Sequence, residues 1–305
     1  MTTVTVIIPT FNRSEKVTRA ISSVIGQTFA DFEIIVVDDG SQDNTEHTVA
    51  QFGESLTYIA HTSNLGVSAA RNTGIKKSAS PLIAFLDSDD RWLPEKLSVQ
   101  VEFFNNHPQA VACQTEETWI RNGLRVNPKK KHLKPSGDIF EPSLKLCLVS
   151  PSAVMLKRGL LEEVGLFDED LPACEDYDLW LRIACRYPVS LIKEPLVVKE
   201  GGHPDQLSAR HRGGMDRFRI KALVKLLRSG ALNNRQLEAT LNELSLKCRV
   251  YGNGCLKRGK KAEGEYYLQL PEIVKQEFTA PKRMGKHLWA DNGRKHSERP
   301  VKQKG

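Results

Sequence analysis

Apolar residues fall along the first hundred positions in two interleaved rhythms. Val4-Thr5-Val6-Ile7-Ile8, stopped by Pro9, Glu33-Ile34-Ile35-Val36-Val37 and Leu82-Ile83-Ala84-Phe85-Leu86 are nearly continuous apolar runs. Such runs mark strands buried on both faces of a parallel sheet. Leu56 to Ala60 reads as a further strand. Between them the spacing turns helical. Val17, Ala20, Ile21 and Val24 line one face of a helix ending near Ile25. Asp43-Asn44 offers a cap for a helix to about Phe52, and the turn Asn64-Leu65-Gly66 leads into a helix from Ser68 to about Lys77. Strands alternating with short helices predict βαβ units and a nucleotide-binding sheet.

After about Ala110 the rhythm changes. Val111 to Ile120, Ser152 to Leu156 and the short run Leu196-Val197-Val198 read as strands. Arg121 to Gly137 is basic, contains Pro and Gly, and reads as a loop. Glu175 to Arg186 has helical spacing. Three further helices are expected at Phe218–Leu227, Asn234–Val250 and Gly254–Leu268, and little order from Pro281 onward. The expected division is therefore 1–215 for the α/β domain, 216–280 for a helical extension and 281–305 for a tail.

Composition narrows the classes. The 305 residues are 40% hydrophobic, enough for a real core, and no apolar run approaches a membrane span. Met1-Thr2-Thr3 leads straight into a strand pattern without a basic leader, so a cytosolic protein is expected. The six cysteines show neither CxxC nor zinc spacing and read as reduced structural thiols. The net charge of +7 is concentrated in the tail, which from Lys282 holds eight Lys and Arg against two acids. The nearly neutral body gives no reason to expect nucleic-acid binding. The tail suits either solubility or peripheral contact with anionic lipid at the inner face of a membrane.

Chemistry gathers where strands stop. Asp87-Ser88-Asp89-Asp90 follows the apolar run 82–86, and ligands of open α/β sheets bind at the carboxyl ends of strands. Three adjacent carboxylates repel one another unless a cation joins them. Asp87 and Asp89 are spaced to meet one ion, and an all-oxygen set favours Mn²⁺ or Mg²⁺. A solvated acidic turn, with Asp90 capping a helix near Pro94, is the alternative. Thr10 and Asn12 end the first strand, and Asp38-Asp39-Gly40-Ser41 ends the second. These polar groups suit a nucleotide, or a turn with a helix cap. The first strand carries no GxGxxG and no P-loop, which argues against a Rossmann oxidoreductase and a nucleoside triphosphatase. Arg71, set among small residues, can reach a diphosphate or base, or form a surface salt bridge.

The motifs Val-Ile-Ile-Pro-Thr-Phe-Asn-Arg (6–13), Val-Val-Asp-Asp-Gly-Ser (36–41), Asn-Leu-Gly-Val-Ser-Ala-Ala-Arg-Asn-Thr-Gly (64–74) and Phe-Leu-Asp-Ser-Asp-Asp (85–90) stand in this order. Together they resemble the family-2 glycosyltransferases of the GT-A fold. A fifth element, Glu-Asp-Tyr-Asp-Leu-Trp-Leu-Arg (175–182), is similar to that family's acceptor-side motif. The resemblance covers about residues 3–215. It implies a single, mostly parallel nucleotide-binding sheet flanked by helices, here with a helical extension. It implies that Asp39 binds the base of a nucleoside diphosphate opposite Pro9 and Thr10, and that Arg71 reaches base or diphosphate. Asp87 would contact ribose or metal, Asp89 would hold the metal, and Ser88 would belong to the nucleotide-sugar site. Asp176 would be the general base with Glu175 beside it, and His203 would lie near metal or phosphates unless it is an ordinary loop residue.

The function so implied is metal-dependent, inverting transfer of a sugar, from a UDP-sugar first of all, to a hydroxyl acceptor. Such an acceptor would be a glycan, a lipid-linked glycan or a glycoprotein. The basic loop (Arg121, Arg125, Lys129, Lys130, Lys131, Lys134) would fold over donor or acceptor, or simply be solvated. A nucleotidyltransferase would need an early basic loop that Phe11-Asn12-Arg13-Ser14 does not supply. A catalytically inactive nucleotide-sugar-binding or scaffold subunit is the competing reading from outside the enzymes.

Overall fold

A computed structural model describes residues 1–127, 132–202 and 214–279. The first half follows the βαβ rhythm. Strands β1 (Val4–Thr10), β2 (Phe32–Asp38), β3 (Thr57–Ala60) and β4 (Leu82–Phe85) alternate with helices α1 (Ser14–Ile25), α2 (Thr45–Ala50) and α3 (Val67–Lys77). These strands pair in parallel in the order β3-β2-β1-β4. Every residue of β1 is buried, because both faces of the sheet are covered. Val6 and Ile8 pack with Val17, Ile21 and Val24 of α1, while Ile7 faces the other way toward Ile75 of α3. Gly74 permits that second contact, since a Cβ there would lie 2.5 Å from the Ile7 Cγ2.

The second half is built differently. Strands β5 (Asp90–Trp92), β6 (Ala112–Arg121), β7 (Leu124–Val126), β8 (Val154–Lys157) and β9 (Ser190–Gly201) extend the sheet as β4-β8-β6-β9-β5, with β7 on β6. All these pairings are antiparallel except β6 with β9. The sheet is therefore mixed, and its parallel part is chiefly the half whose pattern shows it. Asp90 caps no helix. It lies in β5, opposite Lys199 of β9. The run Leu196-Val197-Val198 is only the buried centre of β9, whose earlier residues are half-buried or exposed and so carry no apolar signature. The expected loop 121–137 contains a hairpin. Asn122 and Gly123 turn it with φ +50° and +76°, the Asn-Gly preference of tight hairpins.

Helices α4 (Lys96–Asn106), α5 (Phe140–Lys145), α6 (Arg158–Val164) and α7 (Glu175–Ala184) cover this half, followed by α8 (Met215–Arg228), α9 (Asn234–Lys257) and α10 (Lys261–Thr279). The expected break before Gly254 is absent, and α9 runs on to Lys257. Gly252 serves helix crossing instead. Cβ atoms placed at Gly252 and at Gly264 of α10 would each lie 2.9 Å from the other residue's carbonyl oxygen. The chain reverses at Gly259, with φ +76°. Leu223, Leu244, Cys248 and Val274 of these helices join one apolar cluster with Ile7, Tyr177 and Trp180. The helical segment thus packs on the core of the sheet. Among the described residues no helix is long and apolar enough to cross a membrane. Lys129–Lys131, His203 and the basic tail lie outside the described residues.

Candidate active site

The carboxyl ends of β1, β2 and β4 meet on one side of the sheet. The Asp39 N–H donates to the Thr10 carbonyl at 2.9 Å, and the Leu86 N–H to the Ile7 carbonyl at 3.0 Å. Two turns are tied together there. Asn12, at φ +51°, donates its N–H to Ser41 Oγ at 2.8 Å and accepts the Gln42 N–H on Oδ1 at 2.7 Å. Gly40 has φ +78°, and a Cβ on it would come within 2.6 Å of the Ser63 carbonyl carbon, so only glycine fits this turn without a shift. Asp38 is structural, accepting the Ser41 N–H at 2.8 Å and the Tyr58 hydroxyl at 2.7 Å.

Asp39 is buried and organises the 61–66 loop. It accepts the N–H groups of Leu65 and Gly66 at 2.9 and 2.7 Å, and His61 Nδ1 lies 2.8 Å from its Oδ1. A carboxylate has about four acceptor positions, so about one remains for a ligand. Pro9 and Thr10 are buried beside it, and Thr10 Oγ1 has no hydrogen-bond partner among the described residues. A buried hydroxyl without a partner is one that a ligand at these strand ends could satisfy.

The acidic cluster is matched by cations. Asp87 Oδ1 accepts from Arg71 at 2.7 Å, Asp89 Oδ2 meets Arg13 at 2.8 Å, and Asp90 faces Lys199 at 3.9 Å. Ser88 is buried between them. Asp90 also accepts the Ser152 hydroxyl at 2.7 Å and the Glu200 N–H at 3.3 Å. Burial pushes the Asp87 carboxyl up, but Arg71, Lys199 and Arg13 outweigh it and hold it below the usual carboxylate range. Burial drives Asp90 up to about 8, with Lys199 opposing and its acidic neighbours adding. Lys199 is held charged, because Glu117, Asp90, Asp87 and Asp89 outweigh its own burial. Among the described residues no three His, Cys, Asp or Glu side chains converge as a metal cluster.

Arg71 joins this cluster to the other half of the sheet. Only 3% exposed, it donates to Asp87 and to Glu175 Oε1, each at 2.7 Å, with the Phe167 ring 5.1 Å from its guanidinium carbon. Asn72 continues the link, bonding to the backbone of Phe167 on both sides and to Glu169. The sequence offered Arg71 as a group for base or diphosphate or as a surface salt bridge; it makes two salt bridges, but from a buried position. They hold the start of α7 over the end of β4. Cys174, in the left-handed region at φ +64°, turns the chain so that Glu175 is buried and Asp176 is half-exposed. Burial, reinforced by the Asp176 charge and opposed by Arg71, pushes the Glu175 carboxyl up to about 7. Asp176 accepts its neighbour's N–H from Tyr177 at 2.7 Å and the Cys147 thiol at 3.4 Å.

Arg13, Cys147, Ser152 and Lys199 were not foreseen as site residues. Arg13 stands inside a recognised motif. The other three come from distant segments, and only the Lys-Glu step ending the apolar run 196–198 hinted at Lys199.

The family model for glycosyl transferase family 2 matches residues 5–165. An uncharacterized glycosyltransferase of Rickettsia felis is 32% identical over 225 residues, covering 68% of this chain and 35% of that protein. Escherichia coli WfgD, a UDP-Glc:alpha-D-GlcNAc-diphosphoundecaprenol beta-1,3-glucosyltransferase, is 34% identical over 181 residues, covering 59% and 69%. Matches to the rickettsial relatives span between 26% and 58% of those proteins' length. In fold, the mannosyltransferase PcManGT from Pyrobaculum calidifontis, solved with GDP-Man and Mn²⁺, superposes with a TM-score of 0.59 at 19% identity, covering 91% of this chain and 87% of that one. The chain belongs to glycosyl transferase family 2 and has the GT-A fold.

Proposed function

We propose that this protein transfers a sugar from a nucleoside-diphosphate sugar to a hydroxyl group of an acceptor, with inversion at the anomeric carbon. The observation that carries this reading is the buried Arg71 bridge, which joins a nucleotide-type crevice to a helix start bearing an accessible carboxylate. On the donor side, Pro9, Thr10, Asn12 and the remaining acceptor position of Asp39 line the nucleoside, and Asp87 and Ser88 lie toward the ribose. The family and the Escherichia coli relative make UDP-glucose the first donor to test and a lipid-linked sugar diphosphate the first acceptor.

A divalent ion fits this site. Asp87 and Asp89 offer oxygen ligands only, and a divalent ion on Asp89 would take the place of Arg13. Mg²⁺-type ions are commonly held by one or two carboxylates plus substrate phosphates, so the lack of a three-residue cluster among the described residues is no obstacle. When bound, Mn²⁺ or Mg²⁺ supplies Lewis-acid stabilisation of the departing diphosphate.

On the acceptor side Asp176 is the general base. It takes the acceptor proton as the hydroxyl oxygen bonds to the anomeric carbon, and the sugar-phosphate C–O bond breaks with its electron pair leaving on the nucleoside diphosphate. Glu175, buried and committed to Arg71, is a positioning residue. Asp176→Asn should lower turnover by roughly 10²–10⁴-fold while UDP binding is kept. Near-wild-type transfer by that variant would put the base elsewhere.

A further inference from the structure

Behind the proposed base lies a second concavity that the transfer chemistry does not use. It is a recess of about 450 Å³ lined by Leu133, Pro135, Pro142, Lys145, Leu146 and Leu148. That size falls within the range of ligand pockets, about 300–1,000 Å³. Five of the six residues are apolar, and Leu133 stands 62% exposed at the rim. Lys145 is the one charged member. It is exposed at the end of α5 and makes no ion pair among the described residues.

The recess shares a wall with the active site. Leu146 follows α5 in extended backbone, φ −150° and ψ 144°, and extended chain sends successive side chains to opposite sides. Leu146 and Leu148 line the recess, while Cys147 between them donates its thiol to Asp176 at 3.4 Å. One strand of backbone therefore separates an apolar slot with a cationic rim from the proposed base. A sugar acceptor that is polar throughout has no use for such a slot. An acceptor whose sugar is joined through phosphate to a long hydrocarbon chain would place its hydroxyl at Asp176, pass the edge of this backbone strand, and lay its phosphate by Lys145 and its chain against the leucines and prolines.

We infer that this recess is the acceptor subsite for the first part of a hydrocarbon chain carried on a sugar phosphate, with Lys145 facing the phosphate. The inference rests on the transferase reading for the sugar end of the acceptor. Its test does not. Butyl, octyl and dodecyl phosphate, each below its micelle concentration, are titrated into the full chain by calorimetry. The expected result is affinity rising about threefold or more per buried methylene until the recess is filled. Leu133→Glu, a change at an exposed rim residue, should weaken dodecyl phosphate at least about tenfold and flatten the chain-length dependence. Lys145→Glu should weaken all three phosphates alike. Both variants should bind UDP as the wild type does, which checks their fold. Binding independent of chain length, or a chain-length dependence that survives Leu133→Glu, overturns the assignment. In the transfer assay, dodecyl phosphate should compete with a lipid-linked acceptor. Non-competitive inhibition would make the recess a contact for bulk lipid and would also overturn it. If no nucleotide sugar binds, the transferase reading fails, while the alkyl phosphate series still decides the recess.

Discussion

The two halves of the sheet obey different rules. The first half, β1 to β4, is parallel and assembled from neighbours in sequence, each strand joined to the next by a helix. The second half is largely antiparallel, and its partners come from far apart: Asp90 pairs with Lys199, and Cys113 with Met155. Local assembly leaves its marks within short stretches of sequence. Long-range assembly brings together groups from segments far apart in the chain.

Breaking the join between the halves should have the largest effect. Arg71→Met leaves the buried Glu175 and the half-buried Asp87 without their shared cation. Removing one partner of a buried pair typically costs about 3–5 kcal/mol, and thermal or urea unfolding will measure it. Stability unchanged in that variant would mean that the halves are held together without the bridge.

A second join lies beneath β5. Lys96 is fully buried, with its Nζ 3.9 Å from the centre of the Trp92 ring and bonded to Gln100, which reaches the carbonyls of Cys113 and Ala153. Burial pushes the Lys96 ammonium down to about 7. Between that value and the usual lysine range the unfolded chain binds the proton and the folded chain does not, so this group makes stability rise with pH across that window. Lys96→Met, which keeps the volume and removes the charge, should stabilise the protein most at pH 6, with the gain shrinking toward pH 10. Melting temperatures of both proteins across this range test it. A gain that does not vary with pH would contradict the buried charge.

The smallest effect sharpens the contrast on the helical side. Alanine is favoured over glycine in a helix by about 1 kcal/mol. At Gly252, however, a Cβ meets the Gly264 carbonyl at 2.9 Å, and overpacking costs about 1–3 kcal/mol. Gly252→Ala should therefore lower the melting temperature despite its better helix propensity. A rise would show that α9 and α10 can separate slightly without loss.

These differences explain what could be read from the chain. Strands β1, β2 and β4 were legible because burial on both faces writes a continuous apolar run, and because Val17, Ala20, Ile21 and Val24 mark the covering helix. The motif residues at the strand ends were legible for the same reason: they stand where those runs stop. The short strand β5 was not legible, since Asp90-Arg91-Trp92 has no strand pattern and forms only against β9. The glycines at 252 and 254 fall where a break after Val250 was expected, because sequence does not show the helix packed against Gly252. Arg71 drew attention through its small neighbours, but both of its carboxylate partners had to be found in three dimensions. Cys147 lies 29 positions from Asp176, and nothing in either segment announces the contact.

At the ends of β1, β2 and β4 the proposed nucleotide site would hold a divalent ion through Asp87 and Asp89. Calorimetric titration of UDP into the wild type and Asp89→Asn, each with and without Mn²⁺, tests it most directly. Mn²⁺ should strengthen UDP binding to the wild type, and Asp89→Asn, still folded, should lose most of that gain. UDP binding that is indifferent to Mn²⁺, or an Asp89→Asn protein that responds to Mn²⁺ as the wild type does, would contradict it.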